Sequence, residues 1–364
     1  MDKNNYCIIM AGGIGSRFWP MSRTQRPKQF LDILGTGHTL LEMTFDRFKR
    51  IVPKENILVV TNRDYGSLVA EQLPKLPAEN ILLEPSRRNT APCIAYASYK
   101  IRERNPKASI VVAPSDHLIR KEDKFLKVVE NGLGFVTQEN ALLTIGIPPS
   151  RPETGYGYIQ ADGKTKSTTN YRNLRQVKTF TEKPDLKLAK IFYESGEFFW
   201  NSGIFFWSVS TILDAFNKYL PDIYSVFSEG KGKYDTAKES GFIDYAYAEC
   251  KNISIDYGVM ENAENVFVIT SDFGWSDLGT WGSLHDQLKQ DRQKNVVVGK
   301  EVLTYDVNGC LVNVPEDKLV VLQGLKDFIV VETNDVLLVC RMEDEQKIRN
   351  IVNDIRIQHG DKYI

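Results

Sequence analysis

The chain has 364 residues, of which 42% are hydrophobic and 26% charged, the balance of a folded globular protein rather than a disordered one. Lys plus Arg number 46 and Asp plus Glu 47, a formal net charge of −1, so duplex nucleic acid is not expected as the main partner. A single core stops growing near roughly 250–300 residues, which predicts two domains, or one large domain with an appendage.

Tyr6–Ala11 (YCIIMA) is a short apolar run that meets Gly12, Gly13 and Gly15 at once. It reads as a buried parallel strand feeding a glycine turn. Similar runs follow at Asn56–Thr61, Asn80–Glu84, Ser109–Ala113 and Ala141–Ile145. Between them, Leu40–Ile51, Pro92–Arg104 and Asp123–Val136 have helical spacing. Strands alternating with helices over the first 150 residues predict an α/β fold with a doubly wound, mostly parallel sheet. Thr154–Gln160 and Arg175–Phe180 then read as strands of a partly antiparallel layer, and Ile204–Val209 and Val266–Thr270 as further strands. Ser210–Leu220, Asp235–Glu249 and Leu278–Leu288 read as helices. From Asn295, valine-rich runs at Val296–Val298, Leu311–Val314, Leu319–Leu322, Phe328–Glu332 and Val336–Val339 alternate with turn signals, predicting a small all-β module. A last amphipathic helix is expected over Glu343–Ile357. The expected domains are residues 1–288 and 289–364.

The five cysteines stand far apart with no CxxC pair, and the four histidines show no HxxxH or HExxH spacing. Both observations favour a reduced, cytoplasmic setting over a disulfide framework or a zinc site. No apolar run reaches about 18 residues, so no membrane span or membrane partner is expected. The N-terminus runs straight into the glycine loop and does not read as a secretory leader.

That loop carries the chemistry. Glycines after a strand let backbone N–H groups approach anionic oxygens, as Gly12, Gly13, Gly15 and Ser16 could. Arg17 can fork onto phosphate, and Lys28 adds a point charge. Position 18 is Phe rather than the glycine a GxGxxG fingerprint needs, and no GxxxxGK[ST] is present. Neither a dinucleotide oxidoreductase nor a P-loop NTPase is supported; the alternative for the glycines alone is a tight turn. Asp116, after a strand and a proline, reads either as an N-cap or as a Mg²⁺ ligand at the carboxyl edge of the sheet. Asp277 has the same two readings. Asn89 or Thr90 could simply cap the following helix, Glu182 and Lys183 could be surface charges, and Asn201, set among aromatics, calls for hydrogen-bond partners.

The string GGIGSRFWPMSR…RPKQF (from Gly12), together with EP…RNTAP (from Glu84), PSDH (from Pro114), ETGYGYI (from Glu153), FTEKP (from Phe180), WNSGIF (from Trp200), SIDYGVME (from Ser254) and GWSDLG (from Gly274), resembles the sugar-nucleotide pyrophosphorylases. Its form is similar to the mannose-1-phosphate guanylyltransferases over residues 6–281. The resemblance implies a nucleotidyltransferase fold with a short left-handed β-helix appendage. It implies GTP and mannose 1-phosphate as substrates, Mg²⁺ as cofactor and a homodimer through the appendage. It assigns Arg17, Lys28 and Lys183 to catalysis, and Asp116 and Asp277 to the metal. Gly12, Gly13, Gly15, Ser16, Glu84, Pro85, Asn89, Thr90 and Ser115 go to the nucleotide, and Gly157, Glu182 and Asn201 to the sugar. It leaves Asp256 and Glu261 without a role, and Asn262 departs from the lysine common in relatives. Exchanging Lys28 for Met or Asp277 for Asn is expected to cut turnover with the fold intact. The chain ends before the isomerase domain of longer relatives, so isomerase activity is not expected. Another hexose 1-phosphate as acceptor, or a non-catalytic sugar-nucleotide binder, stays open.

Overall fold

A computed structural model describes residues 1–165 and 173–364. In chain order its strands are β1 (Asn5–Met10), β2 (Ile57–Asn62), β3 (Ile81–Glu84), β4 (Ser109–Pro114), β5 (Leu118–Ile119), β6 (Leu142–Ile147), β7 (Tyr158–Thr165), β8 (Leu174–Thr181), β9 (Phe198–Ser208), β10 (Val266–Thr270) and β11 (Trp275–Ser276). They continue with β12 (Val296–Val298), β13 (Glu301–Tyr305), β14 (Leu311–Asn313), β15 (Leu319–Gln323), β16 (Phe328–Glu332) and β17 (Leu337–Arg341). The described chain forms two compact units. One holds Met1–Gly12, Glu42–Ser115 and Ile119–Trp275, the other Gly13–Leu41, Asp116–Leu118 and Ser276–Ile364.

The first unit is built on a nine-stranded sheet in the order β3-β2-β1-β4-β9-β6-β10-β8-β7. β3, β2, β1 and β4 run parallel, as their continuous apolar runs require when helices cover both faces. β9 then enters antiparallel between β4 and β6, a reversal that apolar run length does not encode. It is longer than the apolar run at Ile204–Val209, because Phe198–Asn201 also pairs, with β6 and β7. The core packs Ile8, Val60, Ile110, Val112 and Phe205 from the sheet against Ile94, Tyr99, Phe216 and Tyr247 from helices.

In the second unit β12, β14 and β16 stack in parallel register through Val296, Leu311 and Ile329, and β13 pairs parallel with β15. This stacking is that of a β-helix-like module. β13 escapes the valine-run reading because three of its five residues are exposed Glu, Thr and Tyr. The helix expected over Leu278–Leu288 spans only Trp281–His285, since Leu278 sits at φ 43°, outside helical geometry. The terminal helix runs Ile348–His359 after a short 3₁₀ stretch. Its Ile348, Ile351, Val352 and Ile355, at helical spacing, join Phe18, Trp19, Trp281 and Ile329 in this unit's core.

Candidate active site

In the second unit the glycine loop closes onto Lys28. Gly15 is left-handed at φ 56°, and a Cβ there would stand 2.7 Å from Lys28 Cβ and 2.9 Å from Ser22 Oγ. Only glycine fits that approach. Ser22 Oγ accepts the Lys28 N–H at 3.0 Å and donates to Ile14 O at 2.9 Å, while Gln29 Nε2 donates to Gly13 O at 2.9 Å. Lys28 is 4% exposed. Its ammonium donates to Asp277 O at 2.9 Å and Leu278 O at 2.8 Å, and pairs with Asp116 Oδ2 at 2.9 Å. Those three oxygens match the three N–H donors of a lysine. Lys28 therefore draws Asp116 and the backbone of Asp277 to one point.

Neither aspartate is a helix cap. Asp116 is followed by β5, and the next helix begins at Glu122 after Lys121. The helix after Asp277 is capped by Thr280, whose side chain accepts the Ser283 N–H in a capping box. Asp277 Oδ1 instead accepts the Gly279 N–H at 2.9 Å, and a side chain at Gly279 would collide with Asp277 Oδ2. Burial works to raise the Asp116 pKa, but the Lys28 and His117 charges and the Lys28 hydrogen bond hold it below the usual carboxylate value. Two carboxylates, one held firmly ionised, suit a hard divalent cation that takes its remaining ligands from phosphate oxygens and water. Among the described residues no three His, Cys, Asp or Glu side chains converge as a self-sufficient metal centre. Arg17 donates from a terminal nitrogen to Gly279 O at 3.3 Å, and its Nε is buried without a partner.

In the first unit the residues expected to meet the nucleotide surround the ends of β1, β3 and β4. A Cβ at Gly12 would lie 3.2 Å from Glu84 Oε2, so this glycine opens the space beside that carboxyl. Glu84 Oε1 accepts from Tyr247 OH at 2.8 Å. Burial pushes the Glu84 carboxyl up to about 7, against the opposing pull of the Tyr247 bond and Arg87. Ser115 is buried, donating its N–H to Met10 O at 3.0 Å and accepting Thr44 Oγ1 on its carbonyl at 3.1 Å. Asn89 does cap the helix Thr90–Arg104, its side chain accepting the Thr90 N–H at 3.0 Å. Thr90 Oγ1 accepts the Ile255 N–H at 2.9 Å. Pro85 follows β3 directly.

A second group in this unit lies around β7, β8 and β9. Asn201 N–H donates to Gly157 O at 2.8 Å. The Asn201 amide accepts from Thr144 Oγ1 at 3.0 Å and donates to Asp256 Oδ1 at 2.9 Å, the partners its apolar setting demands. A side chain on Gly157 would collide with Glu182 Oε2. The Glu182 side chain is only 7% exposed; its Oε1 pairs with Lys183 Nζ, and its Oε2 is buried without a partner. Glu182 and Lys183 are thus a half-buried pair rather than solvated surface charges. Burial opposes the Lys183 charge, but the Glu182 charge and hydrogen bond raise its pKa above the lysine value. Asp256, absent from the sequence-based site, belongs here. Burial and then the Glu182 charge push its carboxyl up to about 7. It opens a π-type turn, Asp256–Met260, a distortion often found at functional sites. Glu261 Oε1 accepts the Glu182 N–H at 2.8 Å. The only sequence signal for both was the string SIDYGVME.

With this geometry the chain is similar to a mannose-1-phosphate guanylyltransferase of Escherichia coli, 37% identical over 359 residues, 96% of this chain and 75% of that protein. The chain belongs to the mannose-1-phosphate guanylyltransferase family. Residues 6–294 match the nucleotidyl transferase family and residues 300–355 the mannose-phosphate isomerase/GMP-like beta-helix domain. Another member-like relative is the alginate biosynthesis protein AlgA of Pseudomonas aeruginosa, 36% identical over 96% of this chain and 72% of that protein. A crystal structure described as a mannose-1-phosphate geranyltransferase of Thermus thermophilus superposes with a TM-score of 0.84 and 31% identity, covering 97% of this chain and 99% of that one. The doubly wound α/β unit and the β-helix-like module are thus those of this guanylyltransferase family.

Proposed function

We propose that the chain transfers a guanylyl group from GTP to α-D-mannose 1-phosphate, giving GDP-mannose and pyrophosphate. A phosphate oxygen of the sugar ester bonds to the α-phosphorus. The bond from that phosphorus to the β-phosphate oxygen breaks, and its electron pair leaves with pyrophosphate. No nucleophilic side chain is needed, so the chain's task is positioning and charge neutralisation. The observation that carries the reading is the Lys28 ammonium, which binds Asp116 Oδ2 and the Asp277 and Leu278 carbonyls together.

Asp116 and Asp277 would hold Mg²⁺, which when bound neutralises phosphate charge and polarises the α-phosphate. Lys28 keeps Asp116 ionised and holds the Asp277 backbone in place. Arg17 and the backbone of Gly12, Gly13, Gly15 and Ser16 take the triphosphate. Glu84, Pro85, Asn89, Thr90 and Ser115 take the nucleoside. Unpaired polar groups there penalise the wrong base. Gly157, Glu182 and Asn201 take the mannose hydroxyls, supported by the unpartnered Glu182 Oε2, and Lys183 steadies the attacking phosphate. Asp256 fixes the Asn201 amide. The five cysteines, all free, fit a cytoplasmic setting, and no helix among the described residues is long and apolar enough to cross a membrane. We also assign homodimer formation to the β13–β15 face, where Leu303, Tyr305, Leu319 and Val321 are exposed in a row.

The test is pyrophosphate release with four nucleoside triphosphates, several hexose 1-phosphates and Mg²⁺. GTP with mannose 1-phosphate should give the highest kcat/KM by about tenfold or more, and Asp277→Asn should lower kcat by about 100-fold. A better rate with another pair, or full turnover in folded Asp277→Asn protein, refutes the reading.

A further inference from the structure

The terminal helix Ile348–His359 packs its apolar stripe into the core beside the 3₁₀ turn Ser16–Phe18. Its neighbouring stripe, Arg349, Val352, Asn353 and Arg356, has the same helical spacing and lines a cavity of about 180 Å³ with Ile14 and Ser16 of the glycine loop. Arg356 is neutralised by Asp361 at 3.2 Å. Arg349 makes no ion pair with a carboxylate among the described residues, and neither does Arg17, whose buried Nε has no partner. Partial burial, and then the Arg17 charge, pull the Arg349 pKa below the usual arginine value. An exposed guanidinium lining a cavity with the glycine loop, and paired with no carboxylate among the described residues, is placed to receive an anion with several oxygens. Guanidinium forks suit such an anion better than any other side chain.

We propose that Arg349 is a further substrate-binding residue. With Arg17 and the Ser16 end of the loop, it grips the β- and γ-phosphates of the incoming nucleotide and so the pyrophosphate that leaves. The β-helix-like module thereby contributes a charge to the reaction through the helix that ends it. This deepens the guanylyl-transfer reading and rests on it for the identity of the nucleotide, but not for the binding of a diphosphate.

The experiment compares wild type with Arg349→Gln, Arg349→Lys and Lys347→Gln. Lys347 is a control from the same helical region, paired with Asp344. KM is measured for GTP, for mannose 1-phosphate and, in the reverse direction, for pyrophosphate. Calorimetry with inorganic pyrophosphate supplies a readout independent of turnover. Arg349→Gln should raise KM for GTP and pyrophosphate about tenfold, the usual weight of a charged hydrogen bond, with KM for the sugar phosphate within about twofold. Arg349→Lys should recover part of the loss, and Lys347→Gln should match wild type. Unchanged GTP and pyrophosphate KM values, or a sugar-phosphate KM that rises in step with them, overturn the proposal. Should the wild type favour a different substrate pair, the function reading fails but calorimetry still decides. Pyrophosphate affinity that drops about tenfold in Arg349→Gln sustains the proposal, and equal or absent binding overturns it.

Discussion

Lys28→Met separates a positioning lysine from a merely available charge. Lys28 is 4% exposed, and its loss strips donors from the Asp277 and Leu278 carbonyls and the cation from Asp116. An unsatisfied buried carbonyl costs about 1–3 kcal/mol. The Asp116 side chain is 28% exposed, so water screens part of the lost pair, and the total comes to about 3 kcal/mol. Over 364 residues, at about 2.1 cal/mol/K each, that lowers the melting midpoint by roughly 4 °C if the chain unfolds as one. The expectation of an intact fold after this exchange is thus revised to a folded but weakened one. The double variant Lys28→Met/Asp116→Asn removes the stranded charge and should regain about 1 kcal/mol. Asp116 has a depressed pKa from a reference of 3.8. The stability it gains from Lys28 is present above that value and lost as pH falls through the folded pKa, so the gap between wild type and Lys28→Met should narrow as pH falls below 3.8 while the share from the two stranded carbonyls remains. Calorimetric melting of the three proteins at pH 7, and at a series of lower pH values, is the assay. A Lys28→Met midpoint within about 1 °C of wild type, or a double variant no more stable than the single one, refutes the reasoning.

Three other outcomes follow from the same geometry. Glu84, raised from 4.5 to about 7 by burial, favours the folded state below its unfolded pKa and loses that advantage as pH rises through the folded value. Glu84→Gln should therefore gain on wild type by up to about 3 kcal/mol between pH 4.5 and 7.5 in urea titrations, and a flat difference counts against the buried carboxyl. Gly157→Ala should push Glu182 aside and raise KM for mannose 1-phosphate about tenfold with KM for GTP unchanged, because the added methyl collides with Glu182 Oε2; equal effects on both would place Gly157 elsewhere. Leu319→Asp, at the most exposed apolar position of the β13–β15 face, should shift sedimentation from dimer to monomer while the melting midpoint holds within about 2 °C. A wild type that sediments as monomer removes the interface.

The placement of several candidate site residues was legible because motif residues sit where strands end. Gly12 after β1, Glu84 at the end of β3 and Ser115 after β4 follow from apolar runs and the glycines and prolines that stop them. A cap at Asn89 or Thr90 followed from residue type, and the structure gives it to Asn89. Asp256 and Glu261 were not legible in role, because nothing in their local pattern shows that Asn201 and Glu182 are their partners. Arg349 was hidden for the same reason: only packing tells that Arg349 and Arg356 both line the cavity beside the glycine loop and that, of the two, Arg356 is paired, with Asp361.

By itself the sequence determined the parallel β1–β4 half of the sheet, the glycine loop, the valine-built β-helix-like module and the family, since each is written in runs and short strings that act locally. Tertiary structure alone decided that β9 enters antiparallel, that Lys28 is buried with its donors spent on Asp116 and the Asp277–Leu278 backbone, and that Arg349 lines a cavity with the glycine loop. The reason is physical. Periodicity reports which face of an element is apolar, whereas the charge a buried group meets depends on residues brought next to it by packing from far along the chain.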